Sequence, residues 1–273
     1  MENRWLALIF AATILAATAL VCPPAIFAQT AGQGAARSTV AQGGEQGRTA
    51  KSPPDLSGTW MPPNDGHHRR FSPEDAPLQP RALEAYKANR EGIRDFYLQG
   101  APHMDPFMYC MPSGMPRAYT APLPFDIVQV PGRVHIIFQT NPLVRYIYTD
   151  GRGHPEGFPV TFMGHSVGRW DGDTLVVDTI GIDDTSWLDT AGTPHSEALR
   201  IEERIRRAAA DRLEIDFLFE DPKTYTRPWR GKKVFQLDHQ WEMIPGLHCE
   251  DRFKQDFERK VLRDKVDWIE FGK

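Results

Sequence analysis

The sequence predicts a mainly β protein, an antiparallel up-and-down barrel with one N-terminal helix and long loops. Three observations carry this. From Phe125 onward, short runs rich in Val, Ile, Phe and Tyr alternate with turn residues at close spacing. No helical crossover separates these runs, so parallel pairing is not expected and each strand returns antiparallel to the last. Alternation is also clean in places: Leu213, Ile215, Phe217 and Phe219 share one strand face, with Arg212, Glu214, Asp216 and Glu220 on the other. About nine or ten twisted strands joined by hairpins favour closure, which removes exposed edges, and such a barrel has an interior of ligand size. A two-sheet sandwich is the alternative.

Taken in order, the chain opens with Arg4, an uninterrupted apolar run from Trp5 to Val21, then Pro23-Pro24 and the small residue Ala28 before Gln29. This is the order of a cleavable secretory signal peptide over residues 1–28, so the mature chain is expected in the periplasm or secreted. The run is short for a membrane anchor and lacks stop-transfer charges, so no stable membrane span is expected in the mature chain. Leu20 and Val21, large residues ahead of Cys22, argue against lipidation. Residues 29–54 are Gly, Ala, Gln, Ser and Thr with few apolar groups, which reads as a flexible tether. Residues 55–273 suit a single domain with a sizeable core.

Within that domain, Asp55–Trp60 begins a first strand. Pro80 suits the start of a helix over Arg81–Tyr97, where Leu83, Tyr86, Ile93 and Tyr97 recur at helical spacing, and Gly100-Ala-Pro102 ends it. An irregular stretch dense in Pro, Met and aromatic residues runs on to Pro124; its length argues for a loop packed on the domain. Helix and loop together make an extension over residues 81–124. The later strands are Phe125–Val130, Val134–Gln139, Val144–Thr149, His165–Trp170, Thr174–Thr179, Glu197–Arg207, Arg212–Glu220, Lys233–Gln240 and Leu247–Phe253. Asp171-Gly172 is a hairpin signal, because both residues tolerate positive φ.

The charge balance, 32 Lys and Arg against 36 Asp and Glu, gives a net charge of −4 with the signs interspersed. Nucleic acid is therefore not an expected partner. Two cysteines remain after the signal, Cys110 and Cys249, and in an oxidising compartment they read as a disulfide. They lack the close Cys/His spacing of a zinc site.

Several motifs resemble those of a large family of exported bacterial proteins. They are Arg145-Tyr-Ile-Tyr-Thr-Asp-Gly151, the run from Gly164 to Thr179 (GHSVGRWDGDTLVVDT), Pro194-His-Ser-Glu-Ala-Leu199, Asp221-Pro222 with Pro228-Trp229, and Cys110-Met-Pro-Ser-Gly-Met-Pro-Arg117. The resemblance covers most of the chain from Leu56 to about Cys249. It implies a lipocalin-like β-barrel and an exported location. It implies no activity.

Polar groups also gather where packing alone would not require them. Asp150 and His154 occupy the turn Asp-Gly-Arg-Gly-His-Pro, His165 opens the next strand beside Ser166, and Asp178 lies on the strand paired with it. Pairing about Asp171-Gly172 sets Asp178 nearly opposite His165 or Ser166, within reach of the imidazole. Asp183, Asp184 and Asp189 line the connection that ends at His195. The expected site is catalytic His165, Asp178, His195 and His154, with Asp150, Asp189, Trp170 and Trp187 binding the ligand. Histidines held by carboxylates in a partly dry cavity suit proton transfer. The reaction class is isomerase, lyase or hydrolase, acting on a small apolar or aromatic molecule without a cofactor. A metal held by His154, His165 and His195 is a further possibility, though no His-x-His or His-Glu-x-x-His spacing occurs. The bland reading is that these are turn and cap residues tying down loops. A non-catalytic periplasmic binding protein is the alternative function. Ser166 and Ser196 lack a Gly-x-Ser-x-Gly elbow, and Glu202, Glu203 and Arg204 read as a solvated face.

Overall fold

A computed structural model describes residues 53–63, 69–140 and 143–244. The expected signal peptide over residues 1–28, most of the expected tether, the expected strand Leu247–Phe253 and Cys249 lie outside the described residues. Nine strands close into a barrel in chain order. They are β1 (Gly58–Met61), β2 (Phe125–Val130), β3 (Arg133–Phe138), β4 (Val144–Tyr148), β5 (His165–Asp171), β6 (Thr174–Ile180), β7 (Arg200–Ala209), β8 (Arg212–Glu220) and β9 (Trp229–Leu237). Closure joins β9 to β1 through Trp60↔Leu237 and Met61↔Gln236. Most boundaries shift by one to four residues from expectation; the larger shifts are β1, which starts at Gly58 and not Asp55, β7, which starts three residues later than Glu197, and β9, which runs Trp229–Leu237 and not Lys233–Gln240. Trp229 opens β9 inside the closed ring, and its indole packs on Phe219 and Tyr225.

One expectation is overturned. All neighbours were expected antiparallel, yet β4 and β5 pair in parallel, through Ile147↔Ser166 and Tyr148↔Val167. Residues 149–164 make the crossover without a helix. A crossover needs length, not helicity, and this one is anchored by Thr161 N–H to Gly181 O and Asp183 N–H to Thr161 O, both 3.0 Å.

The helix α1 (Pro80–Gln99) begins at its proline and stops at Gly100 in the left-handed region, φ 68°, whose N–H bonds to the Phe96 carbonyl. Proline at the first turn and glycine at the stop are the expected pair of signals. Of its side chains only Tyr86 is buried. Asn89 ties the helix to the β6–β7 connection by donating to Gly192 O at 2.9 Å.

The interior is filled. Trp60, Phe125, Phe138, Ile147, Leu175, Ile201, Leu213, Ile215, Phe217 and Phe235 project inward and are almost completely buried. A plug enters as well: the irregular stretch after α1 buries Met115, Ala118, Tyr119 and Thr120. The Tyr119 ring packs within 6.0 Å of the rings of Phe125, Phe138, Phe217 and Phe235. Gly114 carries this segment round at φ 68°, where a Cβ would meet Phe162 O at 2.7 Å. The ligand-sized interior expected from strand number is therefore occupied by the protein's own side chains. Strand count sets the bore, but the chain ahead of β2 supplies the contents.

Candidate functional site

Two polar groupings stand on opposite sides of the β4–β5–β6 wall. Strand alternation sorts them: Arg145, Ser166 and Thr179 point inward, while Tyr148, His165 and Asp178 point outward.

On the outer side, His165 is nearly buried between the Tyr148 ring, stacked at 5.3 Å, and Phe158 from the crossover. The crossover also delivers His154, whose Nδ1 lies 2.8 Å from His165 Nδ1 and whose Nε2 lies 3.2 Å from Asp178 Oδ2. Arg200 at the start of β7 donates to both oxygens of Asp178, at 2.7 and 2.8 Å. Burial alone would raise the Asp178 carboxyl, but Arg200 and then His154 hold it below its ordinary value. Desolvation first, then the neighbouring His154 and Arg152, lower His165.

The sequence-derived register was close but not correct. Asp178 stands opposite Val167, and His165 opposite Ile180. His165 and Asp178 share the outer face without bonding to each other, and His154 bridges them. Asp150 lies one step outside: its carboxylate binds Arg152, whose guanidinium sits 4.1 Å over the Tyr148 ring. Beside the chain of side chains runs a groove of about 440 Å³, walled by Arg152, Val167, Arg169, Val176, Arg200 and the two carboxylates Asp178 and Glu202.

His195 does not join this group. It is buried in the β6–β7 connection, with Nδ1 3.3 Å from Ser196 O and no partner for Nε2 among the described residues. Desolvation lowers its pKa against the pull of Asp221, Asp184 and Asp183. His154 and His165 spend their Nδ1 atoms on each other, so the three histidines do not form a metal donor set; among the described residues no group of three His, Cys, Asp or Glu does. Asp189 is buried and accepts from Thr193 N and Oγ1 and Ala191 N, at 3.0–3.1 Å. Burial still raises its pKa. Its backbone carbonyl accepts from Arg117, which pairs with Asp105 and lies 5.5 Å from the Trp187 ring. That cluster fastens the plug to the β6–β7 connection. Trp170 is half-buried against the core near Thr149 and Pro131, apart from Trp187. Cys110 is free among the described residues.

On the inner side, Arg145 and Glu203 form an ion pair with both side chains at most 1 % exposed. Arg145 donates to both Glu203 oxygens, to Thr179 Oγ1 at 2.7 Å, and to Ser166 Oγ and Tyr119 OH at 3.1 Å each. The reading of Glu203 as part of a solvated face is thus corrected; only Glu202 and Arg204 of that trio face out. The signal was present: Ile201, Glu203 and Ile205 fall on one strand face, so a carboxylate there needs a buried cation. Arg200, Arg152 and Tyr148 were missed because nothing local marks an exposed arginine or a strand-end tyrosine.

Comparison of the chain with protein-family models, with curated proteins and with solved structures returned no match. Among the described residues no helix is long and apolar enough to cross a membrane.

Proposed function

We propose that the chain is an acid–base enzyme that moves a proton on a small acid bound on the outer face of the wall, beside the groove, with His165 as the base, and that it does so outside the cytoplasm. The observation that carries this is the relay Arg200–Asp178–His154–His165. Asp178, ionised and clamped by Arg200, only accepts, so His154 Nε2 carries a hydrogen. When both imidazoles are neutral, His154 Nδ1 is then a lone pair, and His165 Nδ1–H donates to it. That leaves His165 Nε2 unprotonated and without a hydrogen bond among the described residues. A proton taken up at Nε2 is shared across the Nδ1–Nδ1 contact toward His154, whose imidazolium Asp178 stabilises. The lowered pKa of His165 keeps it in the basic form at neutral pH. On the groove wall Arg169, which has no carboxylate partner among the described residues, gives an anionic group of the substrate a partner, and Tyr148 and Phe158 keep water from the imidazole.

This supports an isomerase or lyase that abstracts a proton next to a carbonyl. Neither reading that puts a ligand inside the barrel has support from an interior so filled. The test is deuterium uptake by a panel of small oxo-acids in heavy water, read by mass spectrometry. The wild type should exchange at least one compound, and His165→Gln should slow it by about a hundredfold or more, the scale of a positioned base. Equal exchange by the variant, or none by the wild type, overturns the assignment. If the histidines only clip the crossover to the wall, His165→Gln lowers the melting temperature and changes nothing else.

A further inference from the structure

A second, larger groove of about 670 Å³ lies between α1 and the barrel. Five cations surround it, Arg69, Arg70, Arg90, Arg94 and Lys232, and no carboxylate does. In a chain with more acids than bases this is a local concentration of one sign. Its apolar surface comes mainly from Pro73, Ile93 and Ala191, with the buried Phe71 behind them.

The walls are held from behind. Residues 69–73 lie flat along β9: Lys232 N–H donates to Phe71 O at 2.8 Å, and Lys233 Nζ donates to Arg70 O. Gly231 permits this contact, since a Cβ there would stand 2.6 Å from Phe71 Cβ. Thr190 Oγ1 donates to Arg69 O at 3.1 Å. Three of the cations are aimed by acids outside the lining: Arg70 by Asp75, Arg94 by Asp95, and Lys232 by Glu214. Arg90 leans on Tyr86, donating to its hydroxyl at 3.3 Å. Arg69 and Arg90 have no carboxylate partner among the described residues.

We infer that this groove is a binding site for a small amphipathic anion, a carboxylate on an aromatic or alkyl body. Two unneutralised guanidiniums take the carboxylate, which matches their fork geometry. The floor of Ile93 and Pro73 with the arginine stems takes the apolar body. The volume falls within the range of small-molecule pockets, roughly 300–1,000 Å³, and exceeds what an inorganic anion needs. This site is separate from the histidine relay and stands whether or not the relay is catalytic.

Fluorescence titration of the mature chain with 2-naphthoate tests it. Saturable binding is expected, about tenfold weaker for the neutral 2-naphthamide and at least about tenfold weaker for the double variant Arg69→Gln/Arg90→Gln, given the strength of charge-assisted hydrogen bonds. Inorganic phosphate at equal concentration should not displace naphthoate. Both substitutions are on exposed side chains, and an unchanged circular dichroism spectrum checks the fold. The inference fails if naphthoate does not saturate, if the double variant binds it as tightly, if naphthamide binds equally well, or if phosphate displaces it.

Discussion

Replacing Glu203 by leucine should be among the most damaging single changes this protein can suffer. Arg145 is 1 % exposed and Glu203 is 0 % exposed, so removing the carboxylate leaves a guanidinium with no counter-charge and no water. Its remaining partners, Ser166, Thr179 and Tyr119, are neutral hydroxyls. Breaking a buried pair in this way costs about 3–5 kcal/mol, against a total stability of about 5–15 kcal/mol for a domain. For a domain of this size the melting temperature should fall by roughly 6–20 °C, at about 2–4 °C per kcal/mol. The double variant Arg145→Met/Glu203→Leu should be clearly more stable than Glu203→Leu alone, because it removes the stranded charge. Ser166 and Thr179 keep their mutual hydrogen bond of 2.9 Å, and only the Tyr119 hydroxyl loses a partner, at about 1–3 kcal/mol. Urea unfolding of the wild type, the single variants Glu203→Leu and Arg145→Met, and the double variant gives the coupling directly. A loss under about 1 kcal/mol for Glu203→Leu, or a double variant no better than the single one, would refute the claim that the pair sits in a dry interior.

Two further outcomes follow from the geometry. Gly114→Ala should destabilise by at least about 1–3 kcal/mol, since φ is 68° and the new Cβ meets the Phe162 carbonyl at 2.7 Å; denaturant unfolding checks it, and a neutral result would mean that the plug is not seated as described. Stability should decline as pH falls below about 6.5, because His195 and His165 both have folded pKa values below the ordinary 6.5. The unfolded chain then binds protons that the folded one refuses, so this contribution is complete above pH 6.5 and is lost on acidification. Melting temperatures between pH 7.5 and 5.5 should show it, and His195→Gln should flatten the slope.

The barrel was legible because β8 alternates, with Leu218 the one apolar residue on its polar face, and because Asp171-Gly172 fixes one hairpin. The helix was legible from Pro80 and Gly100. The parallel β4–β5 pair was not, since residues 149–164 carry neither a helical period nor a strand signal, and the rule that crossovers are helical is a tendency. The contents of the barrel were not legible either. Tyr119 lies in an irregular segment whose destination depends on tertiary packing alone. In the outer site, His154, His165 and Asp178 were named in advance, but their order in the relay was not. A register offset of one or two residues decides which side chains bond, and the crossover conformation decides where His154 arrives. His195 was grouped with them by residue type, and Asp221 and Ser196 keep it elsewhere.

The nine-stranded ring is unevenly laced. β4 and β5 share two residue pairs, as do β9 and β1, whereas β7 and β8 share nine. These two thin seams divide the cylinder into two leaves, β1 to β4 and β5 to β9. Such a ring is expected to part first at these seams. Arg145 fastens the first seam from within and the His154–His165 contact fastens it from without, so a ligand or proton that loosens either changes the resistance of that hinge. Backbone amides along Tyr148 and Val167 should then exchange with solvent sooner than those at the β7–β8 seam, and the protein would report the state of its histidines as the ease with which its two leaves part.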